Sequence, residues 1–213
     1  MARRPYVSRV RVQAAQETRA AILDAARTLF AEQGYARTSV AAVAGRAGVA
    51  VNTVYTSVGG KPALIRALGE DGAADEVTRE VLDQVSRLTD GREILRVTAH
   101  GTGEVTRRQA TTLKVLLDNR TSDPAVDDAA ALAVHRYRAS LGRIAARLAD
   151  LAVLRDDIDR ARAEEILWFY FGTSAWNAVR ELGWSWETAA DWLTTQSSSA
   201  LLEPPPHRPP SPS

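Results

Sequence analysis

Apolar residues recur at intervals of three and four along most of this chain. No segment sustains an alternation of β-branched or aromatic residues with polar ones, so the pattern predicts helices throughout. Ile22, Ala25, Ala26, Leu29 and Phe30 form one stripe of a first helix over about 17–33. Gly34 ends it, since glycine takes the left-handed conformation after a last turn. A short second helix is expected over 40–47, with Thr38 or Ser39 placed to cap its N–H groups and Gly48 to close it. A third covers 51–57 and is stopped by Gly59-Gly60, and Pro62 suits the first turn of a fourth. Longer segments follow over 62–89, 92–107, 109–120, 125–151, 158–182 and 186–202, with breaks at "TDG", "RTSDP", "RDDID" and "ELGWSW". The expected fold is all-α, with about nine helices.

Composition narrows the class. Hydrophobic residues make up 45% and charged residues 25%, which suits a soluble, core-forming chain. There is no cysteine, which excludes disulfides, a thiolate nucleophile and a Cys-ligated zinc. No apolar run reaches the length of a membrane span. The N-terminus lacks the apolar core of a secretory signal, so a cytoplasmic location is expected. The formal net charge of +1 hides an asymmetry. Residues 1–66 hold ten Lys and Arg against three acidic residues, and the remainder is acidic. A basic head on an acidic body points to a polyanion as partner, the alternative being chance clustering of surface arginines. Residues 1–16 read as a flexible basic arm, and Arg3, Arg4, Arg9 and Arg11 either contact DNA or have no role. The tail over 203–213 is proline-rich and is expected to be extended and disordered.

The stretch "RAGVAVNTVYTSVGGKPAL", 46–64, is the most informative. Two short helices joined by a glycine-containing turn form a helix-turn-helix. Ala44, Ala47 and Val49 keep the pair close, and Val54 and Val58 face the core. That leaves Val51, Asn52, Thr53, Tyr55, Thr56 and Ser57 for outer faces. In a DNA-binding helix-turn-helix the second helix enters the major groove. Asn52 suits an adenine edge, and Val51 and Thr53 suit thymine methyls. Tyr55, Thr56 and Ser57 suit phosphate oxygens, and Lys61 stands near the start of the next helix, where phosphate is attracted. The alternative is a three-helix head that merely caps a bundle.

Over 17–66 the chain resembles the DNA-binding head of the tetracycline-repressor-like (TetR) family of bacterial regulators. The resemblance is carried by Leu29, Phe30, Gly34, Tyr35, Thr38, Ser39, Ala44, Ala47, Gly48, Val49, Tyr55, Lys61 and Leu64 in "AILDAARTLFAEQGYARTSVAAVAGRAGVAVNTVYTSVGGKPALI". It implies a helix-turn-helix DNA-binding domain over 17–66 and a helical ligand-binding and dimerisation domain over 67–202. It also implies a nucleoid-associated place in a bacterial cell. Thr38 and Ser39 would contact phosphate, Val51, Asn52 and Tyr55 would face bases, and Thr53, Ser57 and Lys61 would be phosphate or groove contacts. Three departures stand out. Ala50 occupies a position where the family often has a capping side chain, Ser57-Val58 replaces a His-Phe pair, and Gly59-Gly60 replaces a charged pair.

The expected function is that of a dimeric, sequence-specific regulator, a repressor that binds a palindromic double-stranded DNA operator and is released by a small-molecule effector. A helix-turn-helix monomer reads few bases, so two half-sites and a homodimer are expected. The dimer surface is expected on the last two helical segments, about 158–202, where all five tryptophans fall within 168–192. An effector that switches a population from 1:99 to 99:1 must favour one state by about 5.5 kcal/mol. Polar candidates on the middle helices are His100, Thr102, Thr106, Asn119, His135, Arg136 and Tyr137. The expected effector set is His100, Asn119, Arg136, Trp168, Phe171 and Trp176, each of which also suits core, interface or surface. Two other classes compete. An all-helical enzyme has only three histidines and no HExxH, GxSxG or phosphate-loop motif to draw on. A nonspecific DNA-binding protein would not need the large acidic body. No enzyme activity, cofactor or metal is expected. The "DDID" run, 156–159, reads as a helix cap in preference to a metal site.

Overall fold

The computed structural model describes residues 5–73, 76–121 and 123–203. Within them lie ten helices: α1 (Pro5–Gln33), α2 (Val40–Ala47), α3 (Val51–Ser57), α4 (Lys61–Ala73), α5 (Glu76–Arg87), α6 (Gly91–Asn119), α7 (Pro124–Asp150), α8 (Arg160–Phe171), α9 (Thr173–Glu181) and α10 (Trp186–Leu201). There is no strand among these residues, only an isolated bridge between Leu154 and Leu202.

The all-α expectation holds, with four corrections to the elements, the first being that the expected 62–89 segment is two elements, α4 and α5. α1 begins at Pro5, so residues 5–16 continue the first helix and do not form a separate arm. α6 runs unbroken past 107–108, where a break was expected, and the Glu104–Arg107 ion pair at 2.8 Å braces that turn. The expected 158–182 helix divides at Gly172, whose backbone is extended (φ −66°, ψ 162°) and which ends α8 and starts α9. A Cβ there would collide with the Trp168 carbonyl oxygen, so only glycine fits. The expected disorder of the tail, and His207 with it, lies outside the described residues beyond Glu203.

The chain groups into two compact units, Met1–Ala74 with Arg108–His135 and Asp75–Arg107 with Arg136–Ser213. In the first, the predicted stripe of α1 is buried: Ile22, Ala26 and Phe30 meet Val43 and Ala44 of α2, Val54 of α3, and Leu64, Ile65 and Leu68 of α4. Val115 and Leu116 of α6 and Val126, Ala129 and Ala130 of α7 join the same core. A Cβ on Gly69 of α4 would lie 3.2 Å from the Ala129 carbonyl oxygen, so glycine permits that approach. In the second unit, Ile94, Leu95, Leu141, Ile144, Leu148, Leu167, Phe171 and Trp176 form the core. Asp159 caps α8 by accepting from the Arg162 N–H at 2.7 Å, as expected of the "DDID" run.

Candidate nucleic-acid interface

The helix-turn-helix is built by local chemistry. The Ser39 hydroxyl accepts the Ala42 N–H at 3.1 Å and caps α2. Gly48 (φ 68°) closes α2 and turns the chain toward α3, with the Val49 N–H donating to Ala44 O at 3.0 Å. α3 buries Val54 completely and turns the opposite side outward. Its N-cap, Ala50, offers no side-chain hydrogen bond.

The sequence-predicted residues separate into three groups. Val51, Asn52 and Tyr55 lie together on the exposed face of α3, with Val51 43% and Tyr55 54% exposed. Thr53 and Ser57 are half-buried and line an open groove with Thr56 of the same helix and Ala14, Ala15 and Thr18 of α1. Thr38, Ser39 and Lys61 are engaged within the head. Thr38 is 3% exposed and its hydroxyl reaches Leu29 O (3.3 Å) and Gly34 O (3.0 Å), which withdraws it from the surface set. Ser39 remains exposed while capping α2. The Lys61 ammonium donates to Ala36 O at 3.0 Å and sits 4.3 Å from the centroid of the Tyr35 ring.

Two further features of this head were not singled out as functional in the sequence. The Tyr35 hydroxyl donates to Asp123 Oδ2 at 3.1 Å, and Asp123 also accepts the Ala125 N–H at 2.8 Å at the start of α7. Burial, followed by the Asp123 charge and hydrogen bond, raises the Tyr35 pKa to about 12. The Asp-Pro pair at 123–124 was a readable start signal for α7. The second feature is Arg19, whose Nη1 donates to Ser57 O at 3.1 Å; no short-range pattern links positions so far apart.

Gly59 and Gly60 have different roles. Gly59 has φ 112° and its N–H donates to Val54 O at 3.1 Å, ending α3. A Cβ there would lie 2.8 Å from Ala63 Cβ, whereas a Cβ on Gly60 would make an ordinary 3.7 Å contact with Tyr55 Cε1. Gly59→Ala is therefore expected to cost about 1–3 kcal/mol of head stability. Gly60→Ala is expected to be neutral or to stabilise by up to about 1 kcal/mol through the unfolded chain. Denaturant unfolding of both variants checks this, and a larger loss in Gly60→Ala would refute the assignment.

The expected effector residues are not gathered into one site. His100 pairs with Asp191 at 3.3 Å, Arg136 is exposed, and Asn119 donates to Val115 O at 2.8 Å in the first unit. Trp168 stands edge-on to Tyr137 (5.8 Å), while Phe171 and Trp176 are fully buried in the core. The second unit instead has a cavity of about 20 Å³ lined by Thr78, Val81, Leu82, Gly101, Thr102, Val105, Tyr137, Ser140, Leu141 and Ile144. Thr102 and Tyr137 belong to the wider set of polar candidates. The Tyr137 hydroxyl donates to Phe171 O at 2.5 Å, and burial pushes its pKa well above the ordinary phenol range.

A compact helical head that exposes Val51, Asn52 and Tyr55 on the second of two short helices has the form of a helix-turn-helix. Residues 22–68 match the family model of bacterial regulatory proteins, tetR family. No curated protein matches it by sequence. The fold is shared with solved structures of low identity. The fatty acid degradation regulator FadR from Bacillus halodurans has 17% identity and a TM-score of 0.71, over 84% of this chain and 94% of that one. SmeT in complex with triclosan has 21% identity and a TM-score of 0.69, over 92% and 98%. FadR from Bacillus subtilis in complex with stearoyl-CoA has 16% identity and a TM-score of 0.69, over 84% and 97%. SmeT is the repressor of the Stenotrophomonas maltophilia multidrug efflux pump SmeDEF. No described helix is long and apolar enough to cross a membrane.

Proposed function

We propose that the chain is a homodimeric repressor that binds a palindromic operator through α3 and is released by a small-molecule effector. The observation that carries this reading is the outward face of α3, where Val51 and Tyr55 stay in solvent although each would gain by burial. Thymine methyls and the sugar-phosphate backbone are surfaces that suit them. Residues 17–66 act as the DNA-binding domain, and 67–202 supply dimerisation and effector binding. Phe169, Leu182 and Trp192, exposed on or beside the last helices, support the dimer surface.

The effector reading rests on the cavity between α5, α6 and α7. Its lining carries hydroxyls at Thr78, Thr102, Tyr137 and Ser140 among aliphatic walls and no charged side chain. An uncharged, largely apolar compound with one or two hydrogen-bonding groups suits it. At about 20 Å³ it has room for little more than a water, so binding requires α5 to move away from α6. The complexes of SmeT with triclosan and of Bacillus subtilis FadR with stearoyl-CoA support a ligand-responsive regulator.

The test is selection of bound fragments from genomic DNA, followed by titration of the enriched palindrome against random duplex. Equal affinity for both at about 150 mM salt would sink the sequence-specific reading. Tyr55→Ala is expected to lower operator affinity about tenfold or more while leaving thermal unfolding unchanged.

A further inference from the structure

We infer that Arg19 of α1 is a positioning residue that fixes the C-terminal end of α3 and so sets how Val51, Asn52 and Tyr55 meet DNA. The inference rests on the DNA-binding reading above. α3 has only seven residues, and most are weak helix formers. Its N-terminus lacks a side-chain cap, so its position depends on Val54 and on what holds its far end. There Val54 O accepts both the Val58 N–H (2.9 Å) and the Gly59 N–H (3.1 Å). The last carbonyl, Ser57 O, accepts from the Arg19 guanidinium at 3.1 Å.

That contact has three properties of a clamp. It is charge-assisted, which makes it stronger than a neutral hydrogen bond. It places a cation where the helix dipole concentrates negative charge. It also starts from a rigid base, because Arg19 precedes the fully buried Ile22 by one turn of α1. Other bases of the head serve different partners: Arg37 reaches Gln33 O, Arg46 pairs with Glu32, and Lys61 reaches Ala36 O.

The experiment uses the full chain, the palindrome enriched by selection, random duplex and a salt series. Arg19→Met is expected to lower operator affinity about tenfold, the size of losing a hydrogen bond to a charged group, with little change on random DNA. The operator-to-random ratio falls with it, and the slope of log affinity against log salt stays at the wild-type value. Arg19→Lys, which keeps a charged donor, restores most of the ratio. Amide hydrogen exchange in α3 accelerates in Arg19→Met while that in α2 does not. Arg19→Gln serves the same measurements if the methionine variant unfolds. Equal losses on both DNAs with a salt slope smaller by about one would make Arg19 a phosphate contact and overturn the inference. Unchanged ratio and unchanged α3 exchange would overturn it as well. If the wild-type chain shows no operator preference, the sequence-specific reading fails, and α3 exchange alone still decides whether Arg19 clamps the helix.

Discussion

Phe169→Asp is expected to convert the proposed dimer to monomers at micromolar concentration and to lower operator affinity by about a hundredfold or more. Phe169 is 73% exposed on α8, the most exposed large apolar side chain among the described residues. Tyr170 meets it edge-on at 5.2 Å, and Arg162 and Glu165, earlier on the helix, pair with each other at 2.8 Å. α8 packs against α10, where Trp192 is 44% exposed and edge-on to Trp184 at 5.5 Å. An isologous interface presents the same patch twice, so one substitution introduces two carboxylates into the contact. Neither would have a partner, and desolvating an unpaired charge is among the largest single costs available to an interface. The monomer itself should fold, because the substituted side chain is already in water. Sedimentation equilibrium reads the mass and titration of the palindrome reads the affinity. A variant that remains dimeric with wild-type affinity would place the interface elsewhere, while Phe169→Leu should keep both properties.

The head was legible because its information is short-range. The stripe of α1, the turn glycines Gly34 and Gly48, and the Ser39 cap each act within a few residues, and the structure has them as the pattern predicts. What the pattern could not decide was how adjacent polar side chains are used. Thr38 and Ser39 look equivalent, yet one hydroxyl turns inward to Leu29 and Gly34 while the other caps α2. Lys61 read as a phosphate contact, but its ammonium already holds Ala36 O against the face of Tyr35. The head's remaining anchors, Arg19 to Ser57 and Tyr35 to Asp123, join positions far apart in the chain, where periodicity carries no information. The second unit was less legible for the same reason. Helical periodicity shows that α5, α6 and α7 have apolar faces, but the cavity depends on the register at which those faces meet. Polar residues were therefore read as candidates together, although His100 and Arg136 lie outside the cavity that Thr102 and Tyr137 line.

Both glycines of "GTG", 101–103, lie on α6 against neighbouring side chains. A Cβ on Gly101 would collide with Val81 of α5, and one on Gly103 would lie 2.7 Å from Trp176 Cη2. α6 thus accepts glycine, a poor helix former, where neighbours press on its backbone. Trp176 is fully buried, and its indole N–H has no hydrogen-bond partner. Trp176→Ala should therefore cost about 3–5 kcal/mol, the usual price of emptying an aromatic site. Trp176→Phe should cost far less, because it removes the unpaired donor along with part of the volume. Gly103→Ala should destabilise the wild-type chain by about 1–3 kcal/mol through overpacking, less the propensity gain of about 1 kcal/mol. In the Trp176→Ala background the obstructing ring is gone, and the same substitution should become neutral or stabilising. The sign change is the decisive result, since residues in direct contact are expected to be non-additive. Denaturant unfolding of the four chains completes the cycle. If Gly103→Ala has the same effect in both backgrounds, Trp176 does not rest on α6 at Gly103.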